Sequence, residues 1–332
     1  MKIFYNALSN LHLTKYGIEI PLSDDRDGKI FEFLENEGIP VIQNFSESIE
    51  LKKEDLARVH NEEFLSALYG SKESLLKAIM DTFELVDEKG NYHRYNPQKA
   101  QAPLEEMFQS FLLKTKGTMA TVQEALNSGE AFFLGGGYHH AMSFGGRGFC
   151  LINDIVIAAR WAQKNLNTKL VWVIDVDAHK GDGTAELTHN DPTIKTLSIH
   201  MKDGWPLDSE KLDKEGKLNP WFIESDVEIG IPQGEEGEYL KKLGEGLSKL
   251  SSLSQEKPDL AIIVQGSDPY EKDQLPSSSL LKLTKEEMLE RDMLVYNFLK
   301  ERDIPQAYVI SGGYGEFVYE IYCQFLKKVH NL

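Results

Sequence analysis

The sequence predicts an α/β fold, a doubly wound and largely parallel sheet flanked by helices. Three observations predict it. Short apolar runs recur from about residue 131 onward. Their apolar character is mostly continuous rather than alternating, which suits strands covered on both faces. Helical segments stand between several of them, giving a β-α-β-α series.

In chain order, Lys29–Glu37 reads as a helix closed by Gly38. Lys53–Leu68 reads as another, because Leu56, Val59, Phe64 and Leu68 fall near helical spacing. Asp87–Ala102 is polar, carries Gly and Pro, and reads as a long loop. A long helix follows over Pro103–Ser128. Buried strands are expected at 131–135, 170–175, 193–199, 260–266 and 306–313, with helices at Asp154–Asn165, Glu236–Leu253, Lys285–Lys300 and Glu316–Val329.

Composition narrows the function classes. The chain has 332 residues, enough for two domains of about 150 or one large α/β domain. Hydrophobic residues at 41% and charged residues at 27% predict a packed core rather than disorder. A net charge of −17 argues against direct nucleic-acid binding and against a polybasic membrane anchor. It suits a cationic substrate or partner, and also plain solubility. Two cysteines, Cys150 and Cys323, exclude a disulfide framework and a cysteine-rich zinc site. The N-terminus lacks a long apolar stretch with a small-residue cleavage site, and no apolar run reaches membrane-spanning length. The expectation is a soluble, reduced, cytoplasmic protein with no membrane partner.

Four chemically rich segments follow four of the apolar runs, where doubly wound sheets place their sites. In LGGGYHHAMSFGGRGFC (134–150), His139 and His140 follow a glycine turn. Adjacent histidines on an extended segment point in opposite directions, so spacing alone does not make them a chelating pair. A glycine turn with two hydrogen-bonded histidines would read the same way. In IDVDAHKGDG (174–183), Asp175, Asp177 and His179 alternate and share one face of an extended strand end. An acidic helix cap is the plainer explanation. However, carboxylates left buried and unpaired there would cost several kcal/mol each, whereas a divalent ion would use them. In VQGSDPYEKDQL (264–275), Asp268 would supply a third ligand, although Asp-Pro turns are common. In ISGGYGEF (310–317), Tyr314 stands between glycines, where it can present its hydroxyl or simply pack. Two carboxylates and one imidazole leave a metal an open position. The remaining Asp175 and Asp182 match the two remaining histidines, and carboxylate–histidine pairs fix tautomer and raise basicity.

Together GGGYHHA, GRGFCLINDIVIAA, VIDVDAHKGDG, SDxxxxDxL and SGGY resemble the zinc-dependent histone deacetylase superfamily, most of all its class IV branch and bacterial relatives. The resemblance covers about 130–320 strongly. PLSDDRDGKIFEFL and RVHNEEFLSAL extend it toward the N-terminus. It implies the arginase–deacetylase fold, as one catalytic domain over residues 1–332. It also implies one zinc per chain on Asp177, His179 and Asp268. His140, paired with Asp182, would act as general base and then acid, while His139, paired with Asp175, would act electrostatically. Tyr314 would donate a hydrogen bond to the oxyanion. Gly148 and Phe149 would line the acyl tunnel opposite Trp205, and Arg26 would lie beside an internal release channel. A structural K⁺ or Na⁺ would use Asp175, Asp177, His179 and Ser198, partly through carbonyls. The implied activity is removal of an acetyl or longer acyl group from an acylated lysine, peptide or similar amine.

Three departures from the family pattern stand out. Lys180 replaces the commoner second histidine of HHGDG, Pro276-Ser277 replace a common Gly-Gly, and Asn91–Ala102 holds no clear counterpart of a substrate-gripping aspartate. A binuclear manganese ureohydrolase of the same fold would need more aspartates around these motifs. A catalytically silent acyl-lysine-binding protein would predict a damaged site, yet every catalytic position is filled.

Overall fold

Strands that are apolar on both sides need cover on both faces, and the computed structural model, which describes residues 1–331, provides it. Its strands are β1 (Lys2–Phe4), β2 (Val41–Ile42), β3 (Glu130–Phe133), β4 (Val171–Asp175), β5 (Ile194–Met201), β6 (Val227–Ile231), β7 (Leu260–Gln265) and β8 (Gln306–Ile310). They form one eight-stranded sheet in the order β2-β1-β3-β8-β7-β4-β5-β6. Every pairing is parallel. The helices are α1 (Arg26–Asn36), α2 (Lys53–Leu56), α3 (Glu62–Tyr69), α4 (Lys72–Thr82), α5 (Met107–Ser128), α6 (Asp154–Asn165), α7 (Asp182–Thr188), α8 (Tyr239–Ser252), α9 (Lys285–Lys300) and α10 (Tyr319–Val329).

Strand alternation divides the core into two layers. Val171 and Val173 of β4 pack with Met119 and Val122 of α5 and with Ala158 and Ala162 of α6. Trp172 and Ile174 face the other way, toward Leu243 and Leu247 of α8, Val295 and Leu299 of α9, and Ile321 and Phe325 of α10. A third apolar cluster joins α3, α4, the start of α5 and residues 149–152.

The strand order carries the functional consequence. The chain leaves β3, skips two positions to lay down β4, and fills the gap later with β7 and β8. The four central strands are therefore β3, β8, β7 and β4, and their carboxyl ends lie side by side at the switch point.

Most elements lie where the sequence places them, and the exceptions have local causes. The helix expected over Lys53–Leu68 is two helices, α2 and α3. Asn61 caps α3 by accepting from the Phe64 N–H at 2.8 Å. The preceding His60 turns inward, with its Nδ1 2.9 Å from the Met142 carbonyl and its Nε2 3.1 Å from the Asn153 N–H. Capping and a buried histidine outweigh apolar periodicity here. Ser71 likewise caps α4, a helix that apolar spacing did not mark. β1 and β2 have three and two residues, too short for a periodicity signal. β6 is fully buried only at its ends, Val227 and Ile231, and carries Gly230, so it reads weakly. α5, α8 and α10 begin three or four residues later than expected.

Close packing of α5 on the sheet sets a testable sign. A Cβ at Gly117 would lie 2.2 Å from the fully buried Phe133 ring, whereas a Cβ at Gly244 of α8 would meet nothing within 4 Å. Replacing a helical glycine by alanine ordinarily stabilises by about 0.8–1 kcal/mol. Overpacking typically costs about 1–3 kcal/mol. Gly244→Ala should therefore raise the denaturation midpoint and Gly117→Ala should lower it. Chemical denaturation of both variants checks the opposite signs.

Candidate active site

The site is built from the four central strand ends. After β3, the chain turns sharply because the Asp154 carboxylate at the start of α6 accepts from the Gly137 N–H at 3.1 Å and the Tyr138 N–H at 2.7 Å. The Thr118 hydroxyl holds the same carboxylate. His139 and His140 lie on this turn rather than on an extended segment. Their rings therefore stand together, with centroids 3.9 Å apart, instead of pointing in opposite directions. Each takes its own carboxylate. His139 Nδ1 lies 2.7 Å from Asp175 Oδ2, and His140 Nδ1 lies 2.6 Å from Asp182 Oδ1.

Asp177, His179 and Asp268 each present one donor atom, all within 4.8 Å of one another, and all three residues are buried. Backbone N–H groups hold the carboxylates in place. Asp177 Oδ2 accepts from Gly312 at 2.7 Å, Asp177 Oδ1 from His179 at 3.0 Å, and Asp268 Oδ1 from Ala178 at 2.9 Å. His179 Nδ1 lies 2.9 Å from Asp268 Oδ2. Behind them, the fully buried Arg291 of α9 donates to the carbonyls of Val176 at 3.0 Å and Gly266 at 2.8 Å. One guanidinium thus ties together the backbones that carry Asp177 and Asp268, with Asp292 balancing its charge at 2.7 Å.

This donor set fits a divalent ion. Burial opposes charge on His179, but hydrogen bonds and charges from Asp177 and Asp268 outweigh it and raise the imidazole to about 10. Burial and the charge of Asp177 push the Asp268 carboxyl above the usual carboxylate range. Two carboxylates and an imidazole this close demand positive charge, which a borderline divalent ion supplies. The space is also shaped for bare backbone: a Cβ on Gly312 would fall 2.4 Å from Asp268 Oδ2 and 2.7 Å from Asp177 Oδ2.

The two adjacent histidines differ in charge. Burial opposes protonation of His139, but Asp175 and Asp177 outweigh it and raise it to about 9. Burial and the neighbouring His139 lower His140 to about 3. Tyr314 is held well above its ordinary value by burial and then by the charges of Asp268 and Asp177, so it keeps its proton.

The predicted walls also meet here. Gly148 has φ +54°, and a Cβ there would lie 2.4 Å from Trp205 and 2.6 Å from His140. A side chain at this position would close the passage. The Trp205 ring stands edge-on to His140 at 4.5 Å, and Phe149 lies 6.2 Å from Tyr314. His139, His140, Gly148, Phe149, Asp177, His179 and Tyr314 line one cavity that continues inward to Arg26. A neighbouring cavity shares His140, Gly148, Phe149, His179 and Tyr314 with it and adds Trp205, Ser277, Glu84, Arg94 and Asp208. Arg26 donates to the Ser311 carbonyl at 2.7 Å. Ser198 lies beside Asp175 in register on β5, and its hydroxyl accepts from the Gly181 N–H at 3.3 Å.

The departures are absorbed locally. Lys180 is buried and pairs with Glu228 at 2.7 Å, apart from the three clustered donors. Ser277, in place of a glycine, brings its hydroxyl within 3.4 Å of His179 Nε2. Sequence reasoning gave no role to Asp273, although it lies in the SDxxxxDxL pattern. Its carboxylate accepts from the Tyr314 N–H at 2.7 Å and the Ser278 hydroxyl at 2.6 Å, joining the loops after β7 and β8. Asp154 and Arg291 were missed as well. Asp154 begins a helix just after the GRGFC segment, the one local signal available. Arg291 has none, since the two carbonyls it ties together lie 115 and 25 residues away.

Comparison with known proteins agrees with this geometry. The Histone deacetylase domain family matches residues 20–328. Histone deacetylase 2 of Arabidopsis thaliana is 29% identical over 308 residues, covering 92% of this chain and 73% of that protein. An uncharacterised protein of Picosynechococcus is 34% identical over 214 residues, covering 64% of this chain and 65% of that one. The chain thus spans roughly two thirds to three quarters of the length of these relatives. Among solved structures, an acetylpolyamine aminohydrolase from Burkholderia pseudomallei superposes with a TM-score of 0.72 at 19% identity, covering 98% of this chain and 97% of that one. The HDA15 HD domain gives 0.68 at 20% identity, covering 99% and 90%. At these identities the two structures establish the shared fold.

The tight approach of Gly312 yields a prediction. If these three donors hold a divalent ion, Gly312→Ala should push the Asp177 and Asp268 oxygens apart and weaken its binding by roughly 10- to 100-fold, the range seen when the surroundings of metal ligands are disturbed. Chelator competition measures it, and unchanged affinity would contradict the proposed donor arrangement.

Proposed function

The chain belongs to the histone deacetylase domain family, and from that premise we propose that it is a zinc-dependent amidohydrolase. Its substrate in this reading is an acylated lysine side chain or a similar acylated amine. One observation carries the proposal: the cavity lined by Asp177, His179, His139, His140 and Tyr314 lies against a buried three-donor group completed by Asp268, and both histidines in it are paired with carboxylates. A bound zinc ion would be held by Asp177, His179 and Asp268, and would supply Lewis-acid polarisation of the amide carbonyl and a more acidic water.

The residues divide the remaining work. His140 donates Nδ1–H to Asp182, so its Nε2 keeps a lone pair for the proton of the attacking water. The same imidazole then gives that proton to the departing amine. His139 is the cationic member of the pair and stabilises developing negative charge. Two neighbouring groups with protonation equilibria pushed apart in this way are the mark of divided acid–base roles. Tyr314 donates its retained proton to the oxyanion, and Asp273 fixes its loop. Gly148, Phe149 and Trp205 form a passage for an extended aliphatic amine and exclude bulk water.

A chain of charge −17 does not repel the cationic amine product. Ser198 beside Asp175 would complete a structural K⁺ or Na⁺ site. Cytoplasmic action is part of the reading: Cys150 and Cys323 are both free thiols, and no described helix is long and apolar enough to cross a membrane.

The test is a side-by-side assay of acetyl-lysine peptide, long-chain acyl-lysine peptide and acetylated polyamine. Amine release from at least one class, abolished by a chelator and restored by zinc, is expected. No release from any of them by the zinc-loaded protein would overturn the proposal. On the best substrate, Tyr314→Phe should lose roughly 2.7–4 kcal/mol of transition-state stabilisation, mostly in kcat, with metal content unchanged. A near-wild-type kcat would remove Tyr314 from the mechanism.

A further inference from the structure

Arg147 is a charged residue close to the proposed chemistry to which nothing above assigns a role. It lies in a tight turn closed by hydrogen bonds between Arg147 and Cys150 at 3.1 and 2.9 Å. Its Nη1 lies 3.1 Å from Asp182 Oδ2. The Asp182 side chain is fully buried. Oδ1 is occupied by His140 Nδ1 at 2.6 Å and by the Gly183 N–H at 3.0 Å. Neither Oδ2 nor Arg147 Nη1 makes a hydrogen bond among the described residues, so the two meet as an ion pair and the guanidinium is the compensating charge of Oδ2. A buried carboxylate oxygen without such compensation is strongly disfavoured.

The same guanidinium sits between two indoles, 5.1 Å from the Trp205 ring centre and 4.7 Å from that of Trp221. Both tryptophans belong to the segment between β5 and β6, and Trp221 is anchored through its N–H to the Ser209 hydroxyl at 2.8 Å. Trp205 is also the ring packed against His140 at 4.5 Å. Arg147 therefore touches the partner of the proposed base on one side and a tunnel wall on the other. It does not line the cavity itself.

We propose that Arg147 is a positioning residue for the reaction. It holds Asp182 aligned on His140, and it clamps the Trp205–Trp221 segment against that pair. This rests on the reading of His140 and Asp182 as the acid–base pair. A guanidinium suits the task because its flat face stacks on indole while its edge meets a carboxylate. Its side chain is 24% exposed, so small solutes can reach its place.

Arg147→Gln keeps the chain length and removes the charge. Its kcat should fall roughly 10- to 100-fold, the range for groups that orient an active-site residue. Metal content and melting temperature should stay close to wild type. In an Asp182→Asn background the same substitution should cost less than about two-fold, because partners acting through one another are not additive. Millimolar guanidinium should restore part of the kcat of Arg147→Ala, and none when Asp182 is Asn. Arg147→Lys, which keeps charge but not the flat face, should fall between wild type and Gln and serves if Gln does not fold. A near-wild-type kcat for Arg147→Gln would overturn the proposal. An equal loss in the Asp182→Asn background would also overturn it while leaving the acid–base reading intact. If Asp182→Asn alone keeps its kcat, that reading fails, and this proposal fails with it.

Discussion

Four carboxylates, Asp175, Asp177, Asp182 and Asp268, lie buried beside one another at the carboxyl ends of neighbouring strands. Removing each from water without compensation would cost several kcal/mol. The surrounding structure answers this one constraint. Backbone N–H groups from the loops after β4 and β8 take up individual oxygens. His139 answers Asp175, and Arg147 with His140 answers Asp182. Asp177 and Asp268 share His179, which without a cation must carry the positive charge itself. A divalent ion in place of that proton would balance Asp177 and Asp268 directly, which is the mononuclear centre proposed above.

The fold makes that concentration of charge possible. Leaving a gap between β3 and β4, later filled by β7 and β8, brings residues from four distant segments to one edge of the sheet. Arg291 then locks β4 and β7 together through two carbonyls directly beneath the metal donors. Helices cover the sheet on both faces. The third apolar cluster, from the N-terminal third and residues 149–152, flanks it.

How much of this could be read from the sequence depended on locality. Asp175, Asp177, His179 and Asp182 fall within eight residues after an apolar run. Ligand chemistry and strand geometry therefore speak at one place, and the structure brings Asp177, His179 and Asp268 together as one group. The parallel sheet was legible because its central strands, though short, are nearly continuous apolar runs buried on both faces. The N-terminal third was read less well. Its helices are set by the caps Asn61 and Ser71 and by the inward turn of His60, not by apolar spacing. The adjacent histidines were misjudged in direction, because the turn that unites their rings is imposed by Asp154 from another element. Arg147 and Arg291 escaped because the groups they hold are remote in sequence, and Asp273, although inside the SDxxxxDxL pattern, because its link to Tyr314 spans 41 residues.

The central claim is that these carboxylates form one mononuclear catalytic metal site. It is tested most directly by metal analysis per chain, on wild type and Asp268→Ala, after loading with zinc and removing loosely held ions. The account predicts one tightly held ion in the wild type, and none in a folded Asp268→Ala. Two ions per chain, or an ion retained by the variant, would contradict it.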